Sequence, residues 1–156
     1  MRVIGIDPGT ATTGYGILEN RNRRLELLEY GCILTQKNKP TALRLLEIYQ
    51  DLTKLIKKYR PQIIAVESVF FYNNVKTAIA VAQARGVVLL CGEQQKLKLQ
   101  EFTPLQIKNS LTGYGKAEKK QVQYMVMKLL GLKSVPKPDD AADALAVAIC
   151  ATNTRI

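Results

Sequence analysis

Apolar residues near the start of the chain fall in short runs. Residues 2–7 are rich in Val and Ile and end on Asp7, and Pro8-Gly9 then signals a turn. Residues 13–19 and 25–35 read as second and third strands, joined as a hairpin across residues 20–24. After the polar loop 37–40 the period changes. Leu45, Ile48, Tyr49, Leu52, Leu55, Ile56 and Tyr59 recur at helical spacing, which predicts a helix over 41–59 that Pro61 stops. Residues 62–67 carry Ile63-Ile64-Ala65-Val66 without a polar break, as a strand covered on both faces requires, and again end on an acid, Glu67.

A Phe70-Phe71-Tyr72-Asn73-Asn74 loop leads into an Ala-rich helix over 75–91 with little polar face, interrupted by Gln83 and Arg85. A helix apolar nearly all round needs cover on more than one side, which points to a dimer interface. Residues 96–102, with Leu97 and Leu99 alternating with charge, read as a fifth strand. Thr103-Pro104-Leu105-Gln106 then has the pattern of a capping box, and Gly113 ends the helix it opens. Val122, Met125, Val126, Leu129 and Leu130 mark the next helix, stopped by Gly131. The last starts near Asp139 and runs through Ala142, Leu145, Ala148 and Ile149. The order predicts an α/β domain: three antiparallel strands, then two parallel ones joined through helices. No repeat or linker divides the chain, so residues 1–156 read as one domain.

Composition narrows the chemistry. The 156 residues include no histidine, which removes a Ser-His-Asp triad, a Cys-His pair and His-ligated zinc. Cys32, Cys91 and Cys150 are far apart and read as buried, reduced thiols of a cytoplasmic protein. No run approaches the roughly 18–20 apolar residues of a membrane span, and the N-terminus lacks the apolar stretch of a signal peptide. What remains is carboxylate chemistry in a protein of net charge +10, whose basic surface suits a polyanion, nucleic acid above all.

Four acids stand out. Asp7 and Glu67 close two apolar strands, and if those strands are parallel neighbours both side chains emerge at one sheet edge, where α/β sites form. Asp140 and Asp143, three apart, share a helix face; Asp139 and Asp143, four apart, share one too. Acids converging without histidine repel one another unless a cation sits among them. Hard divalent ions with oxygen ligands meet that need, and a pair of them can drive phosphodiester hydrolysis. Singly, each acid has a simpler reading as a turn or cap residue, with Asp139 or Asp140 an N-cap of the last helix. Asp143 does not: it lies a turn into an apolar helix, where a lone carboxylate is unfavourable.

The stretches IGIDPGTATTGYG, QIIAVESVFF, AQARG, GKAEKKQVQ and DAADALAVAIC together resemble the RuvC family of Holliday junction resolvases, in order and over nearly the whole chain. The resemblance implies a ribonuclease H-like fold: a five-stranded mixed sheet flanked by helices. It implies a homodimer that binds a four-way DNA junction and nicks two strands symmetrically, leaving 5′-phosphate and 3′-hydroxyl ends. Magnesium, or manganese in its place, would serve with two ions per active site. The family's acidic quartet falls on Asp7, Glu67, Asp140 and Asp143, with Asp139 a stand-in for Asp140. A branch-migration helicase complex (RuvAB) is the implied partner. The alternative reading is a ribonuclease H-like nuclease acting on RNA or RNA–DNA hybrid.

Residues 96–128 hold seven lysines against two acids, Glu101 and Glu118. The resemblance places Lys108 and Lys119 near the scissile strand, where lysines on phosphates give affinity and salt dependence. It also assigns base stacking to a phenylalanine at Phe70, with Phe71 and Tyr72 the neighbouring alternatives. Lys120 and Lys128 read as solvated helix faces.

Overall fold

The computed structural model describes residues 1–22, 24–68 and 75–154, with 75–77 as backbone alone. Its elements are β1 (Arg2–Asp7), β2 (Thr12–Arg21), β3 (Arg24–Leu34), α1 (Thr41–Tyr59), β4 (Ile63–Glu67), α2 (Val75–Gln94), β5 (Lys98–Phe102), α3 (Pro104–Thr112), α4 (Lys119–Leu129) and α5 (Asp139–Asn153). The strands form one sheet in the order β3-β2-β1-β4-β5. β1–β2 and β2–β3 pair antiparallel, β1–β4 and β4–β5 parallel, as the sequence predicts.

The differences lie at element ends. The hairpin strands run on to Arg21 and resume at Arg24, so the turn is tighter than the pattern suggests, with Asn22 at φ 53°. Helix α2 continues past Cys91 to Gln94, and β5 starts at Lys98 rather than 96. The helix ends where Lys96 turns left-handed at φ 57° and Leu97 N–H reaches back to the Gly92 carbonyl at 3.0 Å. The Thr103 box forms as read: Thr103 Oγ1 accepts from Gln106 N–H at 3.2 Å, and Gln106 Oε1 accepts from Thr103 N–H at 2.8 Å. Neither Asp139 nor Asp140 caps α5. Pro138 holds that position, and both acids sit in the first turn, where the helix dipole favours negative charge. Of the three thiols, Cys91 and Cys150 are buried and Cys32 only partly so.

Strand alternation divides the core into two layers. Ile4, Ile6, Ile17, Ile64 and Val66 face α1 and α2, meeting Ile48, Leu52, Ala84 and Val88. Val3, Leu18, Ile63 and Ala65 face α3, α4 and α5, meeting Ile107, Val122, Val126 and the apolar body of α5. Residues 144–151 of α5 are all buried. That helix lies directly on the strands because glycines face it. A Cβ on Gly5 would stand 2.3 Å from the Ala144 carbonyl oxygen, and one on Gly14 would stand 2.0 Å from that of Asp140. Both distances are impossible for any larger residue, so the glycines set how closely α5 approaches.

Candidate active site

Alternation also decides where the strand-end acids point. Asp7 continues the series Val3, Gly5 on β1, and Glu67 continues Ile63, Ala65 on β4, so both belong to the α5 face. The parallel register runs Val3↔Ile63 to Ile6↔Val66, which makes Asp7 and Glu67 the next cross-strand pair. Neighbouring strands lie about 4.8 Å apart. The N-terminal turn of α5 crosses above them, held down at Gly14, and brings Asp140 and Asp143 into the same group. The strand-end loop is fixed: Thr13 Oγ1 donates to the Gly9 carbonyl at 2.7 Å, and Thr10 Oγ1 donates to the Ala80 carbonyl at 3.0 Å.

Two adjoining clefts open here. One, about 390 Å³, is lined by Asp7, Gly9, Thr12, Glu67, Ser68 and Asp140 among others. The other, about 270 Å³, is lined by Glu67, Lys108, Lys119 and Asp143 over an apolar floor of Ile107, Val122 and Val147. Glu67 and Pro104 belong to both. The four acids are therefore one site.

Its electrostatics are those of crowded anions. Burial, then the charges of Asp143, Glu67 and Asp140, push Asp7 up to about 7, against the opposing pull of Lys119. Glu67 is raised by burial and by Asp143, with Lys108 and Lys119 working the other way. Asp143 is raised by burial even though Lys119 Nζ donates to its Oδ2 at 2.8 Å. Asp139 behaves differently. Its bond to Lys137, at 2.8 Å, holds it below the usual carboxylate range.

Among the described residues no three carboxylates close on one point as an ion's shell requires. Lys119, with Lys108, supplies the positive charge at the site. The donor set fits a hard divalent ion: four carboxylates, no thiolate or imidazole, and mutual repulsion that a dication relieves.

Asp7, Glu67, Asp140, Asp143, Lys108 and Lys119 thus come together, while Phe70 lies outside the described residues. Lys120 and Lys128 are exposed, as solvated faces would be. The Asp139–Lys137 bond escaped the sequence reading; the adjacent Lys137-Pro138-Asp139 was its only signal.

A mixed five-stranded sheet with acids at the ends of its first and fourth strands and on its last helix defines a ribonuclease H-like nuclease. The family model for the crossover junction endodeoxyribonuclease RuvC matches residues 3–151. A protein of that name from Fusobacterium nucleatum is 53% identical over 154 residues, covering 99% of this chain and 81% of its own. A structure of RuvC from Thermus thermophilus superposes with TM-score 0.92 at 33% identity, covering 98% of this chain and 94% of its own. A second structure of the T. thermophilus protein, in complex with a Holliday junction substrate, superposes with TM-score 0.89 at 31% identity, with the same coverage. The chain belongs to the RuvC family of crossover junction endodeoxyribonucleases, which are divalent-metal-dependent nucleases.

Proposed function

We propose that this chain resolves Holliday junctions: as a homodimer it binds four-way junction DNA and makes symmetric paired nicks, leaving 5′-phosphate and 3′-hydroxyl ends. The observation that carries this reading is the meeting of Asp7 and Glu67, from adjacent parallel strands, with Asp140 and Asp143 from the helix laid across them.

Asp7, on which the other three acids all act, would be the central ligand, and with Glu67, Asp140 and Asp143 would hold magnesium, or manganese, at two ions per site. The metal would supply water activation and charge stabilisation at the scissile phosphate. The side chains orient that chemistry. Rigid strand ends fix Asp7 and Glu67, and the glycine seam fixes the height of α5. Lys108 and Lys119, on the rim of the smaller cleft, bind the phosphates flanking the cut. Phe70, just beyond β4, is the candidate for stacking on an unpaired base.

The dimer reading rests on α2. Ile79 and Leu90 are each 55% exposed there, and a Cβ at Gly86 between them would meet open space. These three share one stripe with Ala82, also exposed. Pairing two copies through this stripe covers it and supplies two active sites for two nicks. The setting is the cytoplasm, with the branch-migration helicase complex RuvAB as partner. Among the described residues no helix is long and apolar enough to cross a membrane.

The test is cleavage of a synthetic mobile four-way junction in magnesium, with cuts mapped on all four strands. Paired cuts on two opposed strands, abolished by EDTA, are expected. Faster cleavage of a linear RNA–DNA hybrid would overturn the assignment in favour of a hybrid nuclease.

A further inference from the structure

We propose that Lys119 is a built-in counter-ion that an incoming divalent cation displaces from Asp143, and that Asp139, outside the catalytic four, is the positioning residue that receives it. This rests on the metal-dependent reading above. Lys119 opens α4, and its Nζ lies 2.8 Å from Asp143 Oδ2 and 3.7 Å from Asp139 Oδ2. Asp139 and Asp143 stand one turn apart on α5, so a small swing of one ammonium carries it between them. The two oxygens of Asp139 are divided: Oδ1 is taken by Lys137 at 2.8 Å, and Oδ2 faces Lys119. Lys137 thus holds Asp139 in the orientation that leaves its second oxygen for Lys119.

The charge balance favours such an exchange. A dication beside Asp143 repels the ammonium held on its Oδ2, and without a dication Lys119, together with Lys108 at Glu67, opposes the repulsion among Asp7, Glu67 and Asp143. The Lys119 side chain is 54% exposed, on the rim of the site. Held by Asp139, it stays beside the site, where a phosphate arrives.

The experiment is a manganese titration of the DNA-free, full-length protein, followed by the electron paramagnetic resonance of free Mn²⁺. Lys119→Met is expected to bind Mn²⁺ about two- to five-fold more tightly, the range for removing a partly exposed ion pair. Asp139→Asn is expected to weaken Mn²⁺ binding more in the parent than in the Lys119→Met background, because only the parent has an ammonium to rehouse. Asp139→Glu, which keeps the acceptor, should stay close to the parent. Equal effects of Asp139→Asn in both backgrounds would overturn the exchange while leaving the metal site intact. No Mn²⁺ binding by the parent would overturn the metal-dependent reading, and the exchange with it.

Discussion

Replacing Asp7 with asparagine should stabilise the metal-free protein while abolishing its chemistry. Burial and three neighbouring acids lift the Asp7 carboxyl from 3.8 up to about 7. The folded state therefore holds this proton more tightly than the unfolded chain does. Below pH 4 both states keep it and nothing is lost. Between about pH 4 and pH 7 the unfolded chain releases it and the fold does not, so stability falls as pH rises; above pH 7 the whole penalty is present. At about 1.36 kcal/mol per pH unit, the gap corresponds to roughly 4 kcal/mol. Asparagine carries no charge, and burying its amide, where a hydrogen left without an acceptor is costly, returns about 1–2 kcal/mol of that gain. The expected net is about 2–3 kcal/mol at pH 8; near pH 4, where the charge penalty has gone, the same cost of about 1–2 kcal/mol leaves the variant slightly less stable than the parent. Urea denaturation in EDTA, repeated from pH 4.5 to 8, measures it. Magnesium should then stabilise the parent by mass action and the variant far less. Junction binding should survive while nicking disappears, since an amide is a poor ligand for a hard dication. A variant no more stable than the parent at pH 8 would show that these carboxylates do not repel one another as described. Undiminished nicking in magnesium would remove Asp7 from the metal site.

Three other outcomes are expected. Gly14→Ala places a methyl 2.0 Å from the Asp140 carbonyl oxygen and must lift the start of α5; overpacking of this kind costs about 1–3 kcal/mol, visible as a lower melting temperature, and nicking should fall with it. Lys119→Ala should weaken junction binding and reduce the slope of log affinity against log salt by about one if its contact is to phosphate; an unchanged titration would exclude that contact. Ile79→Glu with Leu90→Glu sets charge on the exposed stripe of α2 and should give a folded monomer by light scattering where the parent is a dimer; a variant that stays dimeric would put the interface elsewhere.

The sheet and two of its acids were legible in the sequence because strand signals are local. Val and Ile runs ending in Asp7 and Glu67 needed only a parallel pairing to bring the carboxylates together. Asp143 was legible for the opposite reason, as a charge in a helix that otherwise reads as core. The choice between Asp139 and Asp140 was not local. Both lie in the first turn of α5, and only the way that turn settles onto Gly14 of β2 shows that Asp140 lines the cleft of Asp7 while Asp139 turns to Lys137. Lys119 was read as a phosphate contact and not as a partner of Asp143, because 24 residues separate the two and Lys120, alongside, has the same chemistry. The end of α2 was misplaced by three residues because the polar Glu93 and Gln94 look like a stop. The chain in fact continues as helix until Lys96 adopts a left-handed turn.

The glycine and alanine seam under α5 explains why the repulsion at the site is not relieved by the fold itself. Four crowded carboxylates would normally separate by shifting the element that carries two of them. Here α5 is fully buried from residue 144 to 151 and rests on Gly5 and Gly14 without a Cβ between, so any outward slide opens voids along its whole length. Voids along eight buried residues cost more than the roughly 4 kcal/mol at stake on Asp7. The acids therefore stay together, and Asp7 keeps its proton to higher pH instead, or the site borrows the charge of Lys119. A dication would remove both needs at once, and the packing that forbids relaxation keeps the carboxylates gathered around the place it would take.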